Sequence, residues 1–112
     1  MPFLCMKTNA KNHSDLEKKL KSAFGEKIAL IEGKSEKWLM TEILWDRRLW
    51  FRGSSDPCAI LLLFVFGRNG SYQSLSMALT ELLSKELQIP QSRIYIGIYE
   101  TDQWAWDGKM LS

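Results

Sequence analysis

Eight consecutive apolar residues, Ala59-Ile60-Leu61-Leu62-Leu63-Phe64-Val65-Phe66, constrain the fold of this chain more than any other segment. Side chains alternate along a strand, so Ile60, Leu62, Phe64 and Phe66 point one way and Ala59, Leu61, Leu63 and Val65 the other. Both faces are therefore apolar, the pattern of a strand covered on each side. A chain of 112 residues can build a core without disulfide support, and helices on one side of a sheet would cover only one of these faces. Burying a Val, Leu or Phe side chain contributes roughly 1.5–3 kcal/mol. Three left in water would forgo about 5–9 kcal/mol, comparable to the whole stability of a domain, about 5–15 kcal/mol. The second face thus needs a cover, either another copy of the chain or the C-terminal segment folded across it. Symmetric self-association, the common solution for small domains, is the expectation.

The remaining periodicities place this strand in a repeated unit. Phe3 to Thr8 reads as a strand, and Leu16, Leu20, Ala23, Phe24, Ile28 and Ile31 then recur at helical spacing behind Ser14 and Glu17, a capping-box pair. Gly33 is a natural helix stop. Trp38 to Leu44 reads as the next strand, and Asp46 to Asp56 as a loop with a hairpin-like segment closed by Gly53, Ser54, Ser55, Asp56 and Pro57. After the apolar strand, Gly67 to Ser71 forms a turn. Leu75, Ala78, Leu79, Leu82, Leu83 and Leu87 mark a second helix, with Pro90 just beyond its end. Ile94, Ile96 and Ile98 alternate with Tyr95, Gly97 and Tyr99 in a last full strand, and Trp104 to Leu111 adds a short C-terminal strand. The expected class is α/β (α+β): one domain, residues 1–112, of two tandem β-α-β units, with a four-stranded sheet and two helices on one face.

Composition narrows the function. A net charge of +2 is too small to argue for a nucleic acid or an anionic membrane as partner. Cys5 and Cys58 form no CxxC pair, and the single histidine, His13, leaves no ligand set for zinc, so no metal is expected. Both thiols read as buried and reduced. The N-terminus lacks the basic and apolar regions of a signal peptide, and the run from Cys58 to Phe66 is too short to span a bilayer. A cytoplasmic location is expected, with any secretion by a non-classical route.

Chemistry enters at Pro2. If Met1 is removed, Pro2 carries a free secondary amine at the start of a strand. An α-amino group has a pKa of roughly 7.7–8.0, and burial or a nearby positive charge lowers it. Such an amine is a usable base at neutral pH.

Six motifs in register give the amine a context: Met1-Pro2-Phe3-Leu4 with Thr8-Asn9; Gly33-Lys34; Gly53-Ser54-Ser55-Asp56-Pro57-Cys58-Ala59; Phe66-Gly67; Arg93-Ile94-Tyr95-Ile96; and Trp106-Asp107-Gly108. Together they resemble the family of macrophage migration inhibitory factor and D-dopachrome tautomerase, in the same order along the whole chain. The resemblance implies a homotrimer of two-unit subunits whose sheets form a central barrel, with pockets at the subunit interfaces. It also implies cofactor-free keto-enol tautomerisation of phenylpyruvate-like aromatic α-keto acids or dopachrome-like substrates. Pro2 matches the catalytic proline and Lys34 the pocket lysine that holds a carboxylate or developing enolate. Tyr95 matches a tyrosine supplied by the neighbouring subunit. Phe3, Trp38, Trp104 and Trp106 match positions that wall the pocket.

Three departures alter the implied pocket. The family asparagine two residues after the tyrosine is Gly97, the isoleucine before the strand-ending glycine is Phe66, and a C-terminal phenylalanine is Leu111. An amide donor is lost, and Phe66 and Trp104 are expected to narrow the site. The second cysteine of the family CxxC is Leu61, which removes the basis for thiol-disulfide chemistry.

Blander readings stand beside these. Lys34 after a helix-stopping glycine also suits the helix dipole, and Tyr95 also suits simple packing. Trp45 and Trp50, near Arg47, Arg48 and Arg52, are not explained by the pocket and read as a protein-contact surface or as trimer and rim packing. The same element order occurs in RNA-binding ferredoxin-like domains, but their strand signature of basic, glycine and interleaved aromatic residues is missing. The main alternative to an enzyme is an interaction protein of the same family that engages a host receptor, with vestigial catalysis.

Overall fold

A computed structural model describes residues 1–111. Six strands and two helices follow one another as β1 (Pro2–Thr8), α1 (Leu16–Lys27), β2 (Met40–Leu44), β3 (Ala59–Phe66), α2 (Gln73–Leu87), β4 (Ile94–Thr101), β5 (Ala105–Trp106) and β6 (Lys109–Met110). The main sheet has the order β2-β1-β3-β4. Strand β1 runs parallel to β2 and β3 parallel to β4, which makes two β-α-β units, and β1 joins β3 antiparallel.

The buried half of each strand follows the alternation read from the sequence. Leu4, Met6 and Thr8 of β1 and Leu61, Leu63 and Val65 of β3 face Leu16, Leu20 and Phe24 of α1 and Leu75, Leu79 and Leu83 of α2 in one core. The opposite face carries a row of rings. Phe3 stacks on Phe64 at 6.0 Å and 20°, and Phe64 on Tyr99 at 5.1 Å and 17°. In the single chain this face stays open, with Met40 69% and Tyr99 53% exposed. The C-terminal segment does not cross it. β5 and β6 instead pair with each other as a hairpin, turned by Asp107 and Gly108, both at positive φ, as a two-residue Asp-Gly turn requires.

Local expectations fail where tertiary contacts compete. The capping box does not form: Ser14 sits at φ +51°, and Asp15, at the N-cap position, makes no side-chain capping bond. The Glu17 carboxylate instead accepts a hydrogen bond from the Trp45 indole N–H at 2.7 Å. Helix α1 ends at Lys27, and the chain continues as a 3-10 turn over Ile28–Leu30 before Gly33 at φ +80°. Trp38 closes a second 3-10 turn, Glu36–Trp38, so β2 begins at Met40.

The loop between β2 and β3 is pinned from both units. Asn9 donates through Nδ2 to the carbonyls of Leu49, Ser55 and Asp56 and accepts from the Cys58 N–H. The Arg93 guanidinium reaches the carbonyls of Pro57, Phe51, Ser54 and Asp56. No helix among the described residues is long and apolar enough to cross a membrane.

Candidate functional site

Pro2 opens β1, is buried, and lies opposite Val65 near the end of β3. A cleft of about 530 Å³ opens beside it, lined by Met1, Pro2, Phe3, Lys37, Trp38, Leu39, Met40, Trp104, Ala105 and Trp106. Five of the residues singled out in the sequence, Pro2, Phe3, Trp38, Trp104 and Trp106, are thus brought together from three separate segments. Trp38 meets Trp106 edge-on, with ring centroids 5.1 Å apart at 81°. This contact docks the C-terminal hairpin on the turn before β2. The Leu111 N–H closes the hairpin base by donating to the Trp104 carbonyl at 2.8 Å.

Lys34 stands next to the cleft and outside its lining. Its Nζ donates to the Phe66 carbonyl at 3.2 Å. The α-amine of Met1 is held below its ordinary pKa, first by burial and second by the Lys34 charge. An amine at this end of β1 is therefore biased toward its neutral, basic form. Phe66 ends β3 with a half-buried side chain on the open face, also outside the cleft lining, and takes part through its carbonyl.

Tyr95 is not part of the cleft in its own chain. It pairs with Ile60, five residues along β3 from the Val65 that pairs with Pro2, a separation of roughly 17 Å along the strand. It is 59% exposed and packs edge-on against Phe51 at 4.9 Å, while the Arg93 guanidinium lies 5.3 Å from the centre of the Phe51 ring. Tyr95 could meet a proline amine only from another copy.

At Gly97 an added Cβ would stand 3.1 Å from Leu62 Cδ2 and 3.3 Å from Tyr99 Cε2, so these neighbours already fill the space of a side chain. Cys5 and Cys58 are free and buried, and burial, with the nearby Glu42 carboxylate, pushes the Cys5 thiol up. Among the described residues, no group of three His, Cys, Asp or Glu could hold a metal ion.

Two charged residues, one in the cleft and one beyond it, have no signal in the motifs above. Lys37 is the charged side chain in the lining, its Nζ 5.3 Å from the Trp38 ring centre; its position between Lys34 and Trp38 was the available signal. Beyond the cleft, Glu100 lies in the same lateral row as Val65 and Pro2. Its carboxylate accepts from the Tyr72 hydroxyl at 2.6 Å and the Asn69 N–H at 2.9 Å. These bonds hold it well satisfied, about two strand spacings or roughly 10 Å from the β1 end.

A four-stranded sheet of two β-α-β units, with an aromatic cleft at the proline-bearing end of β1, defines a tautomerase-type fold. The chain belongs to the macrophage migration inhibitory factor family, whose model matches residues 1–112. Macrophage migration inhibitory factor of Meriones unguiculatus is 32% identical over the full length of both chains. The macrophage migration inhibitory factor homolog of Brugia malayi is 35% identical, covering 96% of each. The crystal structure of Leishmania major MIF2 superposes with a TM-score of 0.90 at 26% identity, over 99% of this chain and 97% of that one.

Proposed function

We propose that the chain, once Met1 is removed, is a cofactor-free keto-enol tautomerase for phenylpyruvate- or dopachrome-type substrates, with the Pro2 amine as general base. The observation that carries this reading is the placement of the N-terminal amine, depressed by burial and by Lys34, beside a cleft walled by Trp38, Trp104 and Trp106. While Met1 is present the Pro2 nitrogen is an amide and has no basicity. After its removal the secondary amine lies within the same protein walls and within reach of the same Lys34 charge.

In the reaction the neutral amine takes a proton from the carbon next to the substrate carbonyl, and the C–H electron pair becomes the C=C bond of an enolate. The proton then returns to oxygen, giving the enol, or the steps run in reverse. The Lys34 ammonium offsets the negative charge that develops on oxygen, an effect worth most where water is excluded. The aromatic walls suit an aryl substrate.

The assembly proposed is a homotrimer. It covers the open face of Phe3, Phe64 and Tyr99, and it brings Tyr95 of one copy to the cleft of the next. A cytoplasmic location, with non-classical export, belongs to the same proposal.

The test is an intact-mass measurement showing loss of Met1, followed by phenylpyruvate turnover on the same sample. Pro2→Gly should lower kcat/KM by about 10²-fold or more, in the range expected of a positioned base. No turnover by processed protein, or an unchanged Pro2→Gly variant, would overturn the reading.

One observation favours a second role as an interaction protein that engages a host receptor. Trp50 is 67% exposed on a loop that also exposes Arg47, Arg48 and Arg52. Retained receptor binding by Pro2→Gly, with loss on Trp50→Ala, would support it.

A further inference from the structure

We propose that Lys37 is a second anion-recognition residue of the cleft, selecting aryl ligands that carry a further acidic group along the Trp38 wall. For its consequence in catalysis the inference rests on the tautomerase reading; for binding it stands on the cleft alone.

Among the described residues no acidic side chain lines the cleft, and Lys37 is its charged side chain. The ion pairs among the described residues are Lys19 with Glu86 and Lys21 with Glu36. Glu36, the carboxylate next to Lys37 in sequence, is thus engaged by Lys21 at 3.3 Å. Among the described residues, Lys37 has no carboxylate within ion-pairing distance. Its ammonium is near a ring, 5.3 Å from the centre of Trp38, whose indole meets Trp106 edge-on. A cation held near an aromatic face keeps its charge and is partly desolvated on that side, which prepares it for an anion arriving along the tryptophan wall.

Lys34 stands just outside this lining. Its Nζ is bonded to the Phe66 carbonyl beside the Pro2 end of the sheet, and its charge acts on the terminal amine. One ammonium, Lys34, thus stands just outside the lining on the Phe66 carbonyl, and a second, Lys37, lies in the lining at the Trp38 ring. A monoacid engages one of the two; an aryl diacid can engage both, with its ring between the acids against the indoles. Arginine could replace Lys37 in this role because it keeps the charge on a long side chain, whereas glutamine could not.

The test uses the full chain with Met1 removed, and follows quenching of tryptophan fluorescence by benzoate and by benzene-1,4-dicarboxylate. The wild type should bind the diacid about tenfold more tightly than the monoacid, with the preference shrinking as salt rises. Lys37→Gln should bring the ratio of the two dissociation constants close to one, and Lys37→Arg should preserve it. Equal binding of the two probes by the wild type, or a preference that survives in Lys37→Gln, overturns the proposal. The same variants then compare kcat/KM for 4-carboxyphenylpyruvate and phenylpyruvate, expected to favour the diacid about tenfold in the wild type and to lose that preference in Lys37→Gln. If neither keto acid turns over, the tautomerase reading fails while the fluorescence ratios still decide the role of Lys37.

Discussion

The Lys34 ammonium is hydrogen-bonded to the carbonyl of Phe66, 3.2 Å away across the mouth of the sheet. That bond fixes a long, flexible side chain beside the end of β1, where its charge acts on the terminal amine. A lysine that closes a helix in sequence is thereby committed to the other unit of the fold.

Lys34→Met should lower kcat/KM for phenylpyruvate by about 10- to 100-fold, somewhat less than the loss on removing a dedicated oxyanion donor. It should also move the pH profile. The base acts when unprotonated, so kcat/KM rises as pH rises through the depressed pKa of the amine and levels off above it. At the Met1 amine burial is the larger cause of the depression and Lys34 the second, and the Pro2 amine is expected to feel the same two causes. Without the lysine the rising limb therefore shifts to higher pH and stays below the ordinary α-amine value. A pH–rate profile of the variant checks both the direction and the partial extent.

Phe64→Glu should dissociate the assembly. Phe64 lies between Phe3 and Tyr99 on the open face, and a carboxylate there would have to be desolvated without a partner if another copy covers it. Sedimentation velocity should give a trimer mass for the wild type and a monomer mass for the variant. Turnover should disappear with assembly, because Tyr95 then has no neighbouring cleft to enter. An assembled Phe64→Glu protein would place the interface elsewhere.

Arg93→Ala should cost about 2–3 kcal/mol in urea unfolding, the range for losing charge-assisted hydrogen bonds that are partly open to water. Four loop carbonyls lose a donor at once, though those of Phe51, Ser54 and Asp56 each keep another, and Phe51 loses the guanidinium over its ring. Lysine should rescue little, since one ammonium cannot reproduce the guanidinium fork.

Tyr72→Phe should raise the pKa of Glu100. The Tyr72 hydroxyl is the largest cause holding that carboxyl below its ordinary value, followed by the Asn69 N–H. A depressed carboxyl contributes stability that is present above its unfolded pKa and lost as pH falls through the folded one. The variant should therefore show a weaker loss of stability on acidification, and an NMR titration should find Glu100 nearer to, yet still below, the ordinary range. An unmoved titration would mean that the 2.6 Å bond does not govern the group.

Much of the architecture was legible because burial imposes a period. The alternation in β3 and the spacing of Leu75, Leu79 and Leu83 report directly which side chains must leave water. The capping box does not form because Ser14 and Glu17 satisfy a local rule that says nothing of Trp45, which arrives from 28 residues away and takes the carboxylate. Lys37 is illegible for the opposite reason: an exposed lysine beside a tryptophan has no periodic signature. It matters only because the C-terminal hairpin folds back and makes a cleft there.

By itself the sequence determined the two β-α-β units, the apolar core and the family, since hydrophobic periods and motif order are properties of the chain alone. Tertiary structure decided that the open face of the sheet stays uncovered by the chain's own C-terminus. It also decided that Tyr95 lies five residues along β3 from the row holding Pro2, and that Lys37 lines the cleft while Lys34 is bonded to the Phe66 carbonyl outside it. Those relations join segments far apart in sequence, and only the register of the sheet and the packing of the hairpin fix them.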